Sequence, residues 1–425
     1  MTLDPGHFHA ALVQKEMYPE VNTEVFVFAP DAADVGDHLN RIEGFNARAD
    51  NPTSWISETY RGPDFFARML KEKPGNVLVL AGNNEKKTEY ILEAVQNGIN
   101  VYSDKPMAIN IQDFELLKQA YQSAEEQGVL LYDIMTERFA ITSVLQKELS
   151  LMPKIFGEIE PGSPDNPSVV KESVHHFFKY VSGKKIKRPP WFFDVTQEGD
   201  GIVDVTTHLV DLIQWACYPE VIIDYKKDIE ILKANRWATP LTKEEFSTVT
   251  RLDEIPEYLH KDLDENALLQ VYCNGEITYQ LKDIHARVKV EWKYKAPEGT
   301  GDTHYSILRG TLAELEIRQG AAEDYKPELY LIPKSSDKEY MSVLNDEFSL
   351  LETKFPGIQL EESEVGFRVS IPDKYRIGHE AHFGQVTAQF LKYLKAGELP
   401  VWEVPNSLAK YYTTTAGLEL AKKQK

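Results

Sequence analysis

The sequence has few cysteines and few basic residues for its length. Only Cys217 and Cys273 occur among its 425 residues, so neither a disulfide framework nor a cysteine-based zinc site is expected. Lysine and arginine number 47 against 67 aspartates and glutamates, which gives a formal net charge of −20. This charge repels phosphate backbones and anionic lipids, so we expect no nucleic-acid partner and no membrane partner.

Long hydrophobic runs are also missing. No stretch approaches the roughly 18 to 20 apolar residues of a membrane span, and the N-terminus lacks the layout of a signal peptide. We therefore expect a soluble, cytoplasmic protein. Only Met1 to Leu3 precede the first turn, whereas a central strand has about five residues. A longer natural N-terminus is therefore also expected, and export is the alternative location if it carries a signal segment.

A complete glycine-rich phosphate loop is the third absence. In LDPGHFHA, the fingerprint G-x-G-x-x-G becomes residues 4–9, and only Gly6 remains, the glycine that lets the backbone approach a pyrophosphate. Asp31, placed to take ribose hydroxyls at the end of the second strand, slightly favours NAD over NADP. His7 and His9 would point to opposite sides of an extended segment, or lie about 200° apart on a helix, so no metal site is expected.

The alternation of strands and helices is nevertheless clear. From Asn76 onward, NVLVLAG, INVYS and VLLYDIM are strand-like, and two segments with helical spacing separate them. Apolar strands that alternate with helices indicate a parallel sheet covered on both faces. We therefore expect residues 1 to about 140 to form a Rossmann-like, doubly wound α/β domain that binds a dinucleotide.

After residue 140 the pattern changes. SVVKESVHHFFKYV has strand character, and NALLQVYCNGEITYQL places Asn274 and Gly275 between two apolar runs, which predicts a hairpin turn. We expect residues 141–425 to form an α+β domain for substrate binding and oligomerisation, with a large, mostly antiparallel open sheet. Within it, an irregular insertion is expected at about 226–263 and C-terminal helices at about 380–425.

Two short stretches carry candidate catalytic side chains. Lys105, in SDKPM, follows a predicted strand, and Pro106 keeps it extended at the carboxyl edge where doubly wound sheets bind ligands. In GDGIVDVTTHLVDLIQWA, helical spacing places Asp204 and His208 one turn apart. An imidazole beside a carboxylate suits a general acid/base near neutral pH. A polar turn and a solvated helix face are the alternative interpretations.

Together these stretches resemble the glucose-fructose oxidoreductase and inositol dehydrogenase (Gfo/Idh/MocA) family of NAD(P)-dependent sugar oxidoreductases. VLAGNNEKKTEYILEAVQNGINVYSDKPMAI is similar to the family's strand, loop, helix and Glu-Lys-Pro signature, with Asp104 in place of the glutamate. The resemblance implies that Lys105 contacts substrate and nicotinamide ribose, that His208 is the acid/base and that Asp204 is its partner. The expected cofactor contacts are Gly6, His7, Phe8, Asp31, Gly82, Asn83, Asn84, Asp104, Lys105 and Pro106.

The implied reaction is hydride transfer between a sugar or polyol and NAD or NADP, with Lys105 stabilising the alkoxide that develops. Besides the three catalytic residues, His175, Lys179 and Trp191 are expected to contact the sugar. A homodimer or homotetramer through the C-terminal sheet is implied. Two alternatives stay open: an NAD-dependent enzyme that cleaves glycosides without net redox, and a non-catalytic sugar-binding or regulatory protein that kept the fold.

Overall fold

A parallel sheet occupies the first part of the chain. The computed structural model describes residues 1–181 and 184–423. The strands of this sheet are β1 (Thr2–Leu3), β2 (Glu24–Ala29), β3 (Ile56–Arg61), β4 (Val77–Leu80), β5 (Asn100–Asp104) and β6 (Leu131–Ile134). Its helices are α1 (His9–Leu12), α2 (Ala33–Ala47), α3 (Phe65–Glu72), α4 (Lys87–Gln96) and α5 (Ile111–Gln127). The strand order β3-β2-β1-β4-β5-β6 confirms the Rossmann-like prediction.

The strand order fixes where a ligand can bind. It reverses between β1 and β4, so a crevice opens outside the carboxyl ends of these two strands. The local sequence supports this geometry, because β4 is an apolar run whose last three residues are buried. Helix α5 begins where predicted, with the Asn110 side chain accepting the Asp113 N–H at 2.9 Å.

A second, larger sheet follows. Its strands are β7 (Val169–Phe178), β10 (Ile229–Leu241), β11 (Leu269–Leu281), β12 (Ile284–Lys295), β13 (Thr303–Arg309), β14 (Ala313–Arg318), β15 (Glu328–Pro333), β16 (Gln359–Ser363) and β17 (Gly366–Ser370). A separate two-stranded ribbon is formed by β8 (Tyr180–Val181) and β9 (Lys184–Lys185). The remaining helices are α6 (Ile141–Ser150), α7 (Thr206–Cys217), α8 (Tyr225–Asp228), α9 (Lys243–Thr250), α10 (Lys338–Lys354), α11 (His379–Ala396) and α12 (Glu403–Lys423).

The second sheet is mostly antiparallel, as predicted. Its order is β10-β11-β12-β7-β13-β14-β15-β17-β16, and among the described strands only β12 and β7 pair in parallel. Apolar side chains from α6, α7, α10 and α12 form a core against one face of this sheet. The other face carries ion pairs between neighbouring strands, such as Arg287 with Glu172 at 3.1 Å.

The prediction of an irregular insertion at about 226–263 is wrong. Residues 229–241 form β10, the edge strand that pairs antiparallel with β11 along most of its length. Helix α9 follows, with a capping box between Thr242 and Glu245, and Phe246 is fully buried. The strand escaped prediction because an edge strand tolerates charges, here Lys233 and Arg236, and because bulges interrupt its alternation.

The predicted hairpin at Asn274 and Gly275 is also wrong, because both residues lie inside β11. A side chain at Gly275 would meet Ile202, whose Cβ would lie 2.7 Å from the added Cβ. The Asn274 amide donates to the Trp237 carbonyl oxygen at 3.0 Å, next to a bulge in β10. The two residues therefore serve close packing and a strand irregularity, and the turn comes later, between β11 and β12.

The C-terminal helices pack against both sheets. Phe383 and Phe390 of α11 lie against the tyrosines of β5 and β6, while α12 contacts β10, α5 and α7. The division of the chain at residue 140 therefore stays a prediction, and residues 424–425 of the predicted helical end lie outside the described residues. Among the described helices, none is both long and apolar enough to cross a membrane.

Candidate functional site

The predicted catalytic side chains converge at the carboxyl edge of the parallel sheet. Lys105 follows β5 directly, and its ammonium forms an ion pair with the Asp204 carboxylate. Asp204 lies in the turn before α7 rather than inside the helix, and His208 lies in the first turn of α7. The two side chains of the ion pair are 13% and 7% exposed. A charged pair so well shielded from water is a strong local electrostatic feature.

Asp204 is engaged by Lys105, and the described hydrogen bonds include none between Asp204 and His208. Burial lowers the pKa of Lys105, but the carboxylates of Asp204 and Asp104 outweigh it and leave that pKa above its usual value. Lys105 is therefore a permanent cation at neutral pH. An ammonium held in this way can stabilise negative charge that develops on a substrate oxygen.

His208 has the properties of a proton acceptor. Its Nδ1 atom is buried and has no hydrogen-bond partner among the described residues. Burial, followed by the nearby Lys105 cation, lowers the pKa of His208 to about 4. The imidazole is therefore neutral at pH 7 and free to take a proton from a hydroxyl group.

Glu198 is a site residue that the sequence analysis missed. With Asp204, Phe192 and Trp292 it lines a small pocket in front of α7. Burial, and then repulsion from Asp204, raises the pKa of Glu198 well above its usual range. The sequence signal was its position directly before Gly199, at the start of the glycine-rich lead into α7.

The loop after β4 is tied to the second domain. Asn83 Nδ2 donates to Gln197 Oε1 at 2.8 Å, and Asn84 Nδ2 donates to the Glu198 carbonyl oxygen at 2.7 Å. Gly82 is needed at this position, since an added Cβ would lie 2.3 Å from the Asp4 carbonyl oxygen. The loop that follows β4 therefore lies directly against the N-terminal loop.

Main-chain N–H groups of the N-terminal loop are already hydrogen-bonded to main-chain carbonyl oxygens. Gly6 N donates to the Asp4 carbonyl oxygen at 2.8 Å, and His7 N donates to the Ala81 carbonyl oxygen at 3.2 Å. Trp191 covers the loop, because an added Cβ at Gly6 would lie 3.1 Å from the indole Cζ2. Trp191, expected at a sugar pocket, thus lies on the loop predicted to hold a pyrophosphate.

Two carboxylates lie near the start of α2. Asp34 accepts the Trp191 indole N–H at 3.1 Å and is close to Gly6, although the sequence analysis did not select it. Asp31, which was selected, is 88% exposed and lies 3.7 Å from an Arg61 guanidinium nitrogen. Asp31 is accessible at the end of β2, and its contact with a ribose stays a prediction.

His175 and Lys179 gather around Asp302, a residue not selected from the sequence. Asp302 Oδ2 lies 3.0 Å from His175 Nδ1 and also pairs with the Lys179 ammonium. The ring of His175 stacks on Trp292, one of the pocket-lining residues, with 5.0 Å between the ring centroids. His175 therefore contacts a pocket-lining residue, and direct contact of His175 or Lys179 with a substrate stays a prediction.

An extended segment would place the side chains of the two N-terminal histidines on opposite sides. The structure contradicts this prediction. His7 lies in a turn and His9 begins α1, so their ring centroids are only 4.1 Å apart. Both Nδ1 atoms face Asp104 Oδ2, at 3.7 Å for His7 and 2.8 Å for His9. His379 of α11 approaches from the other side, with its Nε2 atom 3.2 Å from His9 Nε2.

A buried ion network holds α7 in place. Arg138 binds both carboxylate oxygens of Asp211 at 2.7 Å and also contacts Glu403. Lys410 of α12, which is fully buried, lies 2.8 Å from Asp133 Oδ2 and 3.1 Å from Asp211 Oδ1. The network links α7, α12 and the end of β6, and it therefore fixes the helix that carries His208.

We expect Lys410→Met to lower the free energy of unfolding by about 3 to 5 kcal/mol, because it leaves buried carboxylates without their cation. Urea unfolding followed by circular dichroism measures this loss. Lys354 is the matched control, since its pair with Glu148 lies at the surface, and Lys354→Met should cost less than about 1 kcal/mol. Equal losses of unfolding free energy in the two variants would contradict the role of Lys410 as the cation of the buried network.

The crevice carries charged groups at one end and is covered at the other. Near the switch in strand order, the Lys105 ammonium pairs with Asp204, and the Lys105 main-chain N–H donates to the Asp104 carboxylate. At the phosphate end, Trp191 lies over Gly6. The contacts of the predicted residues with a dinucleotide stay a prediction, and the indole would have to move for a pyrophosphate to reach Gly6.

The family models match most of the chain. A model described as "Putative oxidoreductase C terminal domain" covers residues 145–422. A model described as "Oxidoreductase family, NAD-binding Rossmann fold" covers residues 36–133. No protein of curated function is detectably similar in sequence.

Solved structures extend the comparison to the whole chain. A "putative oxidoreductase" from Parabacteroides merdae is 54% identical, with a TM-score of 0.98 and coverage of 100% of this chain and 97% of the other. A "putative oxidoreductase" from Thermotoga maritima is 15% identical, with a TM-score of 0.63 and coverage of 100% of this chain and 98% of the other. A levoglucosan dehydrogenase in complex with NADH and levoglucosan is 13% identical, with a TM-score of 0.63 and coverage of 99% and 96%.

The latter two comparisons establish the fold alone. The Parabacteroides relative and the C-terminal family model establish membership, and the Rossmann family model confirms the predicted class of cofactor domain. The chain therefore belongs to the Gfo/Idh/MocA family of oxidoreductases, with an NAD-binding Rossmann fold followed by that family's oxidoreductase C-terminal domain.

Proposed function

We propose that this oxidoreductase transfers hydride between a hydroxyl carbon of a sugar or polyol and NAD(H). The observation that carries the proposal is the shielded Lys105–Asp204 ion pair close to the neutral imidazole of His208. Levoglucosan dehydrogenase, which has the same fold, was crystallised with NADH and an anhydrosugar. Polar side chains around an aromatic wall, such as His175 on Trp292, suit a polyhydroxylated substrate.

The residues divide the chemistry between them. Acceptance of hydride is the chemistry that a bound nicotinamide supplies. His208 takes the proton of the substrate hydroxyl, and Lys105 stabilises the negative charge that develops on the oxygen. Asp204 keeps Lys105 charged and oriented. Asp104 and Pro106 flank Lys105 and border the nicotinamide end of the site.

The proposed cofactor contacts follow the crevice. Gly6, His7 and Phe8 would lie below the pyrophosphate, and Gly82, Asn83 and Asn84 would line the opposite side. Asp31 would bind the adenosine ribose, which favours NAD because its carboxylate repels the extra phosphate of NADP. Asp31→Asn tests the ribose contact. The ratio of the affinity for NAD to the affinity for NADP should be smaller in this variant than in the wild type.

Release of NADH tests the proposal. Purified protein is incubated with NAD and a panel of aldoses, anhydrosugars and polyols, and NADH is followed by absorbance. We expect net NADH with at least one member, and none with His208→Ala. Glycoside cleavage without net NADH would instead indicate transient oxidation, and absence of both reactions across the panel would contradict the proposal.

The oligomeric state and the cellular location are each proposed from a single observation. The face of the second sheet that no described helix covers offers a surface for a homodimer or homotetramer. Two cysteines without a disulfide, Cys217 and Cys273, accord with a cytoplasmic location. Light scattering of the purified protein measures the assembly state.

We expect Trp191→Ala to tighten NADH binding by about tenfold, because the dinucleotide then displaces neither the indole nor its hydrogen bond to Asp34. Titration of NADH fluorescence measures the affinity. Trp237, a partly exposed indole on the edge strand β10, is the matched control, and Trp237→Ala should leave the affinity unchanged. Unchanged or weaker binding by Trp191→Ala would show that the indole does not cover the phosphate position.

The affinity for NAD is expected to rise as the pH falls from 8 to 5.5. Burial and the Asp34 carboxylate raise the pKa of Asp4 to about 6, so Asp4 is anionic at pH 8 and becomes neutral as the pH falls through that value. The neutral form no longer repels the pyrophosphate, a gain of about 1 kcal/mol or fivefold. Calorimetry should show this rise, and Asp4→Asn should abolish it by binding tightly at both pH values.

A further inference from the structure

Three side chains with metal-binding donor atoms converge beside the catalytic lysine. His7 and His9 come from the N-terminal loop and the start of α1, and Asp104 is the last residue of β5. One donor atom from each lies within 4.8 Å of the other two. His9, which replaces the third glycine of the fingerprint, and His7, at a variable position of it, thus bring two imidazoles to a carboxylate at the edge of the sheet.

The spacing of these atoms suits one shared cation. Bonds of 2.0 to 2.2 Å in tetrahedral geometry place two ligand atoms about 3.3 Å apart. The observed distances to Asp104 Oδ2, 2.8 Å from His9 Nδ1 and 3.7 Å from His7 Nδ1, lie on either side of that value. Shifts of about half an ångström would bring these two distances to ligand spacing, while the donor atoms of His7 and His9 lie within 4.8 Å of each other.

The outer contacts of the cluster also match those of a metal ligand. A ligating histidine normally has its second ring nitrogen in a hydrogen bond, which fixes the ring and its tautomer. His9 Nε2 lies 3.2 Å from His379 Nε2, and His379 Nδ1 lies 3.4 Å from a Glu137 carboxylate oxygen. The contact of His9 Nε2 with His379 therefore orients the ring, while the Nδ1 atom of His9 faces Asp104.

Asp104 has a negative charge that no described lysine or arginine side chain neutralises by direct contact. It is 4% exposed, and His9 is 8% exposed. The nearby ammonium of Lys105 is directed to Asp204, and that of Lys87 donates to the main-chain oxygen of Asp104 rather than to its carboxylate. A cation between the carboxylate and the two imidazoles would supply the missing charge.

We propose that His7, His9 and Asp104 bind one divalent transition-metal ion of the zinc class. Two imidazoles and one carboxylate form a ligand set typical of zinc and related metals, and magnesium, which prefers oxygen ligands, is disfavoured. Three protein ligands leave a fourth position for water or for an oxygen of a bound ligand. His7 and Asp104 are also proposed cofactor contacts, but binding of the metal ion requires neither cofactor nor sugar.

Metal binding to the chelator-treated wild-type protein tests the site. Calorimetry with ZnCl2 should give one ion per chain, and MgCl2 at the same concentration should not compete. We expect His7→Ala and Asp104→Asn each to weaken zinc binding at least tenfold. His285, a partly exposed histidine at the start of β12, is the control, and His285→Ala should bind zinc like the wild type.

The outcomes separate this proposal from the enzymatic one. If Asp104→Asn does not fold, His7→Ala alone decides, because the His7 side chain is more exposed than that of Asp104, 25% against 6%. Absence of zinc binding by the wild type, or equal affinity in His7→Ala and His285→Ala, would overturn the proposal. NADH binding is measured on the metal-free protein in parallel, so failure of one proposal leaves the other decidable.

Discussion

Replacement of His208 by alanine is expected to lower kcat by about 10² to 10⁴-fold, the usual contribution of a positioned acid/base, and to leave the Kd for NADH nearly unchanged. The reason is that His208 is neutral at pH 7 and has a free buried Nδ1 atom. Steady-state kinetics and NADH titration on the same preparation give the two values. The wild-type rate of alcohol oxidation should fall only below a pH of about 4, where the imidazole becomes protonated.

His38 provides the matched control for this experiment. It is a buried histidine of α2 whose pKa burial also lowers to about 4, and both of its ring nitrogens lack partners. His38→Ala removes the same group at a position without a proposed role, so kcat at saturating NAD should change less than about twofold. A retained rate in His208→Ala, or an equal loss in His38→Ala, would refute the role assigned to His208.

Lys105→Met is expected to lower kcat by about 10² to 10³-fold, because the charge that stabilises the developing alkoxide is lost. It also leaves the Asp204 carboxylate without its partner, and we expect a loss of unfolding free energy of about 3 to 5 kcal/mol. Kinetics and urea unfolding measure the two effects separately.

The double variant Lys105→Met with Asp204→Asn distinguishes catalysis from stability. Removal of both charges relieves the unpaired carboxylate, so most of the lost unfolding free energy should return. The rate should stay low, because no cation then faces the substrate oxygen. Recovery of both quantities together would mean that Lys105 acts only through the stability of the site.

The sequence predicted the parallel sheet well because local and global signals agree there. Strand β4 is a short apolar run, α4 places Ile91 and Val95 on one buried face, and Asn110 caps α5 as expected. Strand β10 was missed because it lies at a sheet edge, where solvent accepts charges that otherwise indicate a loop.

The candidate site likewise contains residues that the sequence predicted and residues that it missed. Lys105, Asp204 and His208 were identified because they occur in two stretches whose spacing and resemblance support each other. Contacts between distant segments carry no local signal, and so the partners Asp302 and His379 were not found. The predicted geometry of His7 and His9 was wrong because it assumed one regular conformation, an extended segment or a helix, whereas the chain turns at His7 and α1 begins at His9.

The remaining question is how tightly the chain binds a dinucleotide, and the positions of Trp191 and Gly6 bear on it directly. The indole covers the one glycine left from the phosphate-binding fingerprint, and Asp4 adds a carboxylate beside it. Both features weaken dinucleotide binding compared with an open glycine loop. We therefore expect the cofactor to bind with an affinity limited by displacement of the indole.

Calorimetric titration of the wild-type protein with NADH tests the central claim most directly. The account predicts one dinucleotide bound per chain, with tighter binding by Trp191→Ala and Asp4→Asn. No heat of binding with millimolar NADH or NADPH, for the wild type and for both variants, would contradict the claim that this chain works as a nicotinamide-dependent oxidoreductase.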